Sequence, residues 1–346
     1  MKDDAELIRH PFSEPPDNGT VREVAPGVLW LRLPLPYALD HVNLYLFEEG
    51  DGWALFDTGL GDDVSRDCWD RLLRGALGGK PIVRLVVSHF HPDHVGLAGW
   101  LHERFAPPLH MTQSEYFYAK LLQQGRDPQT LEAQDAFYQS GGLSPDEIQQ
   151  MLKRGLSYLN RTTGLAPSFE RMIPGQTLRL GGRDWRILTG GGHSPEQAML
   201  YCAADRLFLA ADQVIARISP NVSVSAMQPK ADPLGLYLSS LAAIREEVAA
   251  DSLVLSGHRL PFYGLDHRTR ALEAHHADRC AQIAEACRAK PLSCKELVPV
   301  LFRRALDSHQ LSFAFGEALA HLNHMVGRGE LRTETRTDGV LSYHSA

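Results

Sequence analysis

Nowhere does the chain approach the ~20 uninterrupted apolar residues that a helix needs to cross a bilayer, which argues against a membrane protein. The stretch from Met1 to Asn18 is polar, acidic and proline-bearing, and lacks the pattern of a secretion signal. It reads as a flexible arm or an edge extension, and the chain as cytoplasmic. Cysteine is sparse: Cys68, Cys202, Cys280, Cys287 and Cys294 are odd in number and form no CxxC pair. Free thiols in a reducing compartment are the simplest account. Cys280 and Cys287, on one expected helix, read as small buried apolar residues. A surplus of positive charge is also missing. The formal net charge of -7 disfavours a general affinity for nucleic acid, whose binding rests on neutralising phosphates. No internal repeat or low-complexity tract is evident.

What is present is ordinary globular material. With 346 residues, 44% hydrophobic and 22% charged, the chain can build one large domain with an appendage, or two domains. Residues 28–33, 42–47 and 53–56 are short apolar or alternating runs separated by turn-formers, which predict strands. A helix is expected over about 64–77. Ile82 to Val87 is apolar and largely β-branched, as suits a strand buried on both faces, and a helix should follow over 95–105. From Gln113 to about Arg161 the pattern turns helical. Strands return at 177–180, 185–189, 199–202 and 207–209, then a helix at 234–249 and a strand at 252–255. Beyond His258 the texture changes to three helical segments (about 266–289, 293–304 and 312–328) and two strand-like pieces (331–335 and 340–343). Ser293 and Glu296 make a capping box. Three helices followed by a hairpin is the order of a winged-helix module, and it places a boundary near residue 265.

Chemistry concentrates in one place. His89, His91, Asp93 and His94 fall within six residues, immediately after the strand expected at 82–87. Strand alternation sends His89 and His91 to one side, and Pro92 breaks the strand so that Asp93 and His94 project from the turn. Imidazole and carboxylate suit zinc and its first-row neighbours. His193, Asp212 and His258 each follow a further expected strand, and glycines precede both histidines, as a tight turn beside a crowded centre requires.

The run HFHPDH at 89–94 matches the HxHxDH signature of the metallo-β-lactamase superfamily, and His193, Asp212 and His258 follow in that family's order and approximate spacing. Asp57-Thr58-Gly59 resembles its early DTG motif. Over residues 20–260 the chain is thus identified as a member of that superfamily. The resemblance implies a four-layer αβ/βα sandwich, here carrying a helical insertion and a C-terminal winged-helix-like domain. The expected organisation is an arm over 1–18, a metallohydrolase domain over 19–264 with a cap at about 113–161, and a winged-helix-like domain over 265–346. By the same resemblance His89, His91 and His193 hold one divalent metal ion. Asp93, His94 and His258 hold the second, Asp212 bridges the two, and Asp57 orients the site. Zinc is the first expectation, with iron and manganese also compatible with such ligands. A hydroxide bridging the two ions would be the nucleophile, with Asp93 assisting proton transfer as well as ligating.

The sequence departs from one subgroup. Family thioester hydrolases and endoribonucleases often carry GHTxxH, whereas Gly192-His193-Ser194-Pro195-Glu196-Gln197 ends in glutamine. Flavodiiron relatives have Glu where His91 stands, so hydrolysis is favoured over redox chemistry. The expected activity is hydrolysis of a small ester-like substrate, a thioester or a lactone. A metal-dependent endoribonuclease and a non-catalytic metal-bearing regulator are the alternatives. Tyr116, Phe117, Tyr118, Phe137, Tyr138 and Tyr158 give the insertion an aromatic surface that either walls the cleft or packs the cap. Tyr263, past His258, is a candidate hydrogen-bond donor to a substrate carbonyl. From Asp266 onward eleven Lys/Arg face ten Asp/Glu, so a docking or homodimer-forming module is expected there rather than a nucleic-acid reader.

Overall fold

The computed structural model describes residues 7–346, with backbone alone for residues 154–157 and 309. Strands β1 (Val21–Ala25), β2 (Val28–Pro34), β3 (His41–Glu49) and β4 (Gly52–Phe56) form an antiparallel meander. Helix α1 (Asp63–Arg74) then crosses to β5 (Ile82–Val86), which runs parallel to β4. Short helices α2 (Pro92–Val95) and α3 (Ala98–Phe105) lead to β6 (Leu109–Met111). The insertion folds as α4 (Gln113–Gln123), α5 (Pro128–Ser140), α6 (Pro145–Arg154) and a 3-10 turn (Gly155–Arg161), before β7 (Glu170–Arg171) closes a seven-stranded sheet in sequence order. The second sheet holds β8 (Thr177–Leu180), β9 (Arg183–Gly190), β10 (Gln197–Cys202), β11 (Leu207–Ala211) and, after α7 (Pro233–Glu247), β12 (Leu253–Ser256), in the order β12-β11-β10-β9-β8.

Alternation explains how these sheets stack. Along β3, Val42, Leu44 and Leu46 point to the helices α1 and α3, while Tyr45 and Phe47 point to the second sheet. In β11, Leu207 and Leu209 face the first sheet, and Phe208 and Ala210 face away. The inter-sheet core therefore holds Trp30, Tyr45, Phe56, Trp185, Leu200 and Leu255, with Phe47 and Trp185 meeting edge-on at 5.6 Å. Helices cover both outer faces, which gives four layers, as the resemblance implies. No helix among the described residues is long and apolar enough to cross a membrane.

Beyond residue 265 the chain forms α8 (Leu265–Ala289), β13 (Leu292–Ser293), α9 (Cys294–Leu301), α10 (Ser308–Gly327), β14 (Leu331–Thr335) and β15 (Leu341–Ser345), with a small sheet β13-β15-β14. The Ser293/Glu296 capping box forms at the start of α9, which ends at Leu301, short of the expected Arg304. These elements are not a separate core. Ile283, Leu297, Phe315 and Leu322 share one cluster with Met199, Phe208 and Tyr237 of the second sheet and α7, and Phe315 meets Phe137 of the insertion at 5.9 Å. At the other end, residues 1–6 of the expected arm lie outside the described residues. From Leu7 the chain lies along the fold: Arg9 exchanges two backbone hydrogen bonds with Tyr263, and Phe12 meets Trp30 at 6.0 Å.

Candidate metal centre

Five strand ends meet at one edge of the sandwich: Asp57 follows β4, His89 follows β5, His193 follows β9, Asp212 follows β11 and His258 follows β12. β5 ends at Val86, so strand alternation is not what aligns His89 with His91. A loop does it, bringing His89 Nε2 within 2.8 Å of His91 Nδ1. His91 is the N-cap of α2 and Pro92 its first residue, so the proline starts a helix, whose first turn presents Asp93 and His94.

Three groups of side chains have donor atoms within 4.8 Å of one another: His89, His91 and His193; Asp93, His94 and His258; and His89, His94 and Asp212. Asp212 Oδ2 stands between them, 3.2 Å from His258 Nε2, 3.4 Å from His94 Nε2 and 3.6 Å from His193 Nε2. Asp93 Oδ2 lies 3.4 Å from His258 Nε2. The far nitrogens of three rings are fixed. His94 Nδ1 pairs with Asp57 Oδ2 at 2.8 Å, His193 Nδ1 with the Asn221 carbonyl at 2.8 Å, and His258 Nδ1 with the His41 carbonyl at 2.7 Å. These three rings are held so that Nε2 faces the centre. Asp57 is held in turn, accepting from Ser88 N at 2.7 Å and Ser88 Oγ at 2.9 Å.

Backbone strain marks the same edge. Asp57 (φ 67°), Ala211 (φ 43°) and Arg259 (φ 68°) are non-glycine residues in the left-handed region. Gly257 is required by space: a Cβ there would sit 2.3 Å from Asp212 Oδ1 and 2.8 Å from His94 Cε1.

The electrostatics follow from burying three carboxylates among these imidazoles. Burial and the neighbouring rings hold His89 well below the ordinary histidine range, and His91 at about 3. Burial also lowers His193. It opposes the charged form of His94 and His258 as well, but there Asp212 and Asp93 outweigh it, lifting His94 well up and His258 to about 10. Asp93 and Asp212 are lowered in return, their burial outweighed by His94 and His258. The pocket thus favours positive charge at its middle. His94 Nε2, His193 Nε2 and Asp212 Oδ1 are buried without a hydrogen-bond partner. Such groups cost about 1–3 kcal/mol each unless something satisfies them. An unsatisfied N/O donor set in a cation-favouring pocket fits divalent metal ions.

One residue of the centre carried no signal in the sequence. Glu115 of α4 is fully buried, and its Oε1 accepts from Ser194 Oγ and Glu196 N, both at 2.7 Å, while Oε2 accepts from Phe90 N at 2.9 Å. It ties the loop holding His89 and His91 to the loop holding His193. Burial raises its carboxyl to about 7, against the pull of those hydrogen bonds. Gln197 is fully buried too, its amide within 3.4 Å of the Ala210 carbonyl and Gln213 Oε1, so it serves a buried amide network beneath the site.

The cap aromatics divide. Tyr116 stacks on Phe169 at 4.1 Å, and Phe137 and Tyr138 pack on Phe315. Tyr118 and Tyr158 instead face Phe90 between the two histidines, Tyr118 at 4.5 Å between rings and Tyr158 through a 2.9 Å hydrogen bond to the Phe90 carbonyl. Phe117 is exposed. Tyr263 is carried elsewhere than expected. After His258 the chain doubles back so that Phe262 pairs with Val254, and the Tyr263 ring lies 4.3 Å from the Arg9 guanidinium, against the inter-sheet core.

Residues 37–258 match the family model described as metallo-beta-lactamase superfamily, and residues 280–346 match the metallo-beta-lactamase-like C-terminal domain. A beta-lactamase domain protein from Burkholderia ambifaria superposes with a TM-score of 0.91 at 40% identity, over 99% of both chains. A metallo-beta-lactamase family protein from Thermus thermophilus gives 0.80 at 25% identity, over 94% of this chain and 100% of that one. Among curated proteins, the linear primary-alkylsulfatase of a Pseudomonas species is 23% identical over 206 residues, 58% of this chain but only 38% of its own length.

Proposed function

The chain belongs to the metallo-beta-lactamase superfamily and is a metal-dependent hydrolase, and from that premise we propose that it cleaves a small ester-like substrate, a thioester or a lactone, with two divalent ions, zinc foremost. His89, His91 and His193 would hold one ion and Asp93, His94 and His258 the other, with Asp212 shared. The observation that carries this is the single oxygen of Asp212 lying within 3.6 Å of imidazoles from both groups. When bound, the ions supply Lewis acidity, which activates water near neutral pH and polarises the bond to be cleaved.

The protein's own groups do the rest. Asp57, through His94, and the carbonyls of Asn221 and His41, through His193 and His258, hold the rings in orientation. Asp93, at 19% exposure the most open carboxylate of the centre, moves the proton between the site and solvent. Tyr118 and Tyr158 form the wall for an apolar part of the substrate. The C-terminal elements act as a winged-helix-like docking or dimerisation module.

The test is zinc-loaded protein assayed on a panel of acyl-glutathione and acyl-CoA thioesters and lactones, with His89→Ala as background. Turnover well above that control, with the circular dichroism of the variant unchanged, supports the assignment. Equal activity in His89→Ala refutes the centre. Zinc bound but no turnover refutes the substrate class and shifts weight to single-stranded RNA.

A further inference from the structure

Beside the turn that follows His258 lies a cavity of about 290 Å³ lined by His10, Pro15, Arg32, Arg217, Arg259 and Leu260. Among the described residues its charged lining is three guanidinium groups and no carboxylate, on a chain whose formal net charge is -7. Four separate segments supply it. Arg32 comes from β2, Arg217 from the loop leaving Asp212, Arg259 from the turn after His258, and His10 from the N-terminal segment, pinned by its Nδ1 contact of 3.0 Å with the Pro261 carbonyl.

Arg259 is held firmly at this spot. Its N–H donates to His41 Nε2 at 2.8 Å, its carbonyl accepts from Asn43 Nδ2 at 2.7 Å, and its backbone stays at φ 68°. The residue before it is the proposed ligand His258, so the cavity and the centre share one turn of chain.

Among the described residues these charges are balanced only in part. Arg32 has a single acidic neighbour, Asp40 at 4.0 Å, which is 77% exposed and is also 2.6 Å from His41 Nδ1. Among the described residues neither Arg217 nor Arg259 makes an ion pair or side-chain hydrogen bond. Burial lowers the Arg32 guanidinium; Asp40 opposes this, and the nearby Arg259 charge adds a smaller lowering, so the two cations sense one another. Guanidinium forks recognise oxyanions by paired N–H donors, and converging cations raise the local concentration of an anionic ligand.

We propose that this cavity is a subsite for an oxyanion of the substrate, a carboxylate, phosphate or sulfate borne away from the bond that is cleaved. The proposal rests on the hydrolase reading of the adjoining centre and narrows its substrate class to anionic esters.

The test has two arms on the zinc-loaded full chain. In the first, sodium sulfate is titrated by calorimetry into the wild type and the double variant Arg217→Ala/Arg259→Ala. Sulfate affinity should fall roughly tenfold or more in the alanine pair, whereas Arg217→Lys/Arg259→Lys should keep most of it because the charge remains. In the second, thioesters with carboxylate-bearing, phosphate-bearing and neutral leaving thiols are compared. The ratio of kcat/KM for anionic over neutral substrates should fall about tenfold in the alanine pair, mainly through KM, and the tail with the larger fall identifies the oxyanion. Equal sulfate affinity in the alanine pair overturns the subsite, and so does an unchanged ratio. If no thioester is turned over at all, the substrate reading of the centre fails, and the sulfate titration alone decides the cavity.

Discussion

Replacing Glu115 by glutamine tests how the two histidine loops are held together. The carboxylate serves three donors, two on Oε1 and one on Oε2. A glutamine can turn its oxygen to Ser194 and Glu196, but its amide nitrogen then meets the Phe90 N–H, donor against donor. An unsatisfied buried donor costs about 1–3 kcal/mol, and two facing one another place the expected destabilisation at roughly 2–4 kcal/mol. Because Phe90 sits between His89 and His91, zinc affinity should fall on the order of 10–100-fold, as when the supports of metal ligands are removed. There is also a pH signature. Burial lifts the Glu115 carboxyl to about 7, so between about 4.5 and 7 the native state keeps a proton that the unfolded state has lost. Native stability from this group therefore falls as pH rises through that window, by about 3 kcal/mol in total. Glutamine lacks the term, so the wild type's advantage over Glu115→Gln should shrink between pH 5 and 8. Urea unfolding of the metal-free proteins across that range measures it, and chelator competition measures zinc affinity. At pH 5, a variant within ~0.5 kcal/mol of wild type with unaltered zinc affinity, or a stability gap independent of pH across the range, would refute the reasoning.

Other outcomes follow from the same geometry. Asp57→Asn removes the acceptor of His94 Nδ1 and should weaken zinc binding about 10–100-fold, read by chelator competition; unchanged affinity would show that Asp57 does not orient His94. Gly257→Ala puts a methyl group against Asp212 Oδ1 and His94, and should lose bound zinc by elemental analysis while the metal-free fold persists in circular dichroism. Tyr158→Phe deletes the hydrogen bond to the Phe90 carbonyl and should cost about 1 kcal/mol in urea unfolding. Phe315→Ala should cost about 3–5 kcal/mol and shift one cooperative calorimetric transition, since Phe315 shares its core with the second sheet. Two transitions, only one of them shifted, would contradict a shared core.

The strands and the metal-competent side chains were legible because both announce themselves locally. HFHPDH sits directly after an apolar β-branched run, and His193, Asp212 and His258 each follow another. What stayed hidden was non-local or carried by backbone. Glu115 contacts main-chain N–H groups, which look alike in every sequence, and it lies in a stretch that reads only as part of a cap. Gln197 was visible as a departure from GHTxxH, but its amide network depends on Gln213 and Ala210 arriving from β11. The texture change near residue 265 was real, yet the core that crosses it depends on contacts between distant segments. Tyr263 was placed by proximity to His258 in sequence, which the reversal after β12 undoes.

Phe90 has a consequence for how such a protein can diversify. Its ring touches Tyr118, its carbonyl receives Tyr158, its N–H is held by Glu115, and its chain neighbours are His89 and His91. The helical insertion and the histidine loop are therefore one mechanical body. Substitutions selected in the cap for a new substrate will also move the histidines, and will register as altered metal retention before they register as altered selectivity. Variants of Tyr118 or Tyr158 should trade the two properties against each other.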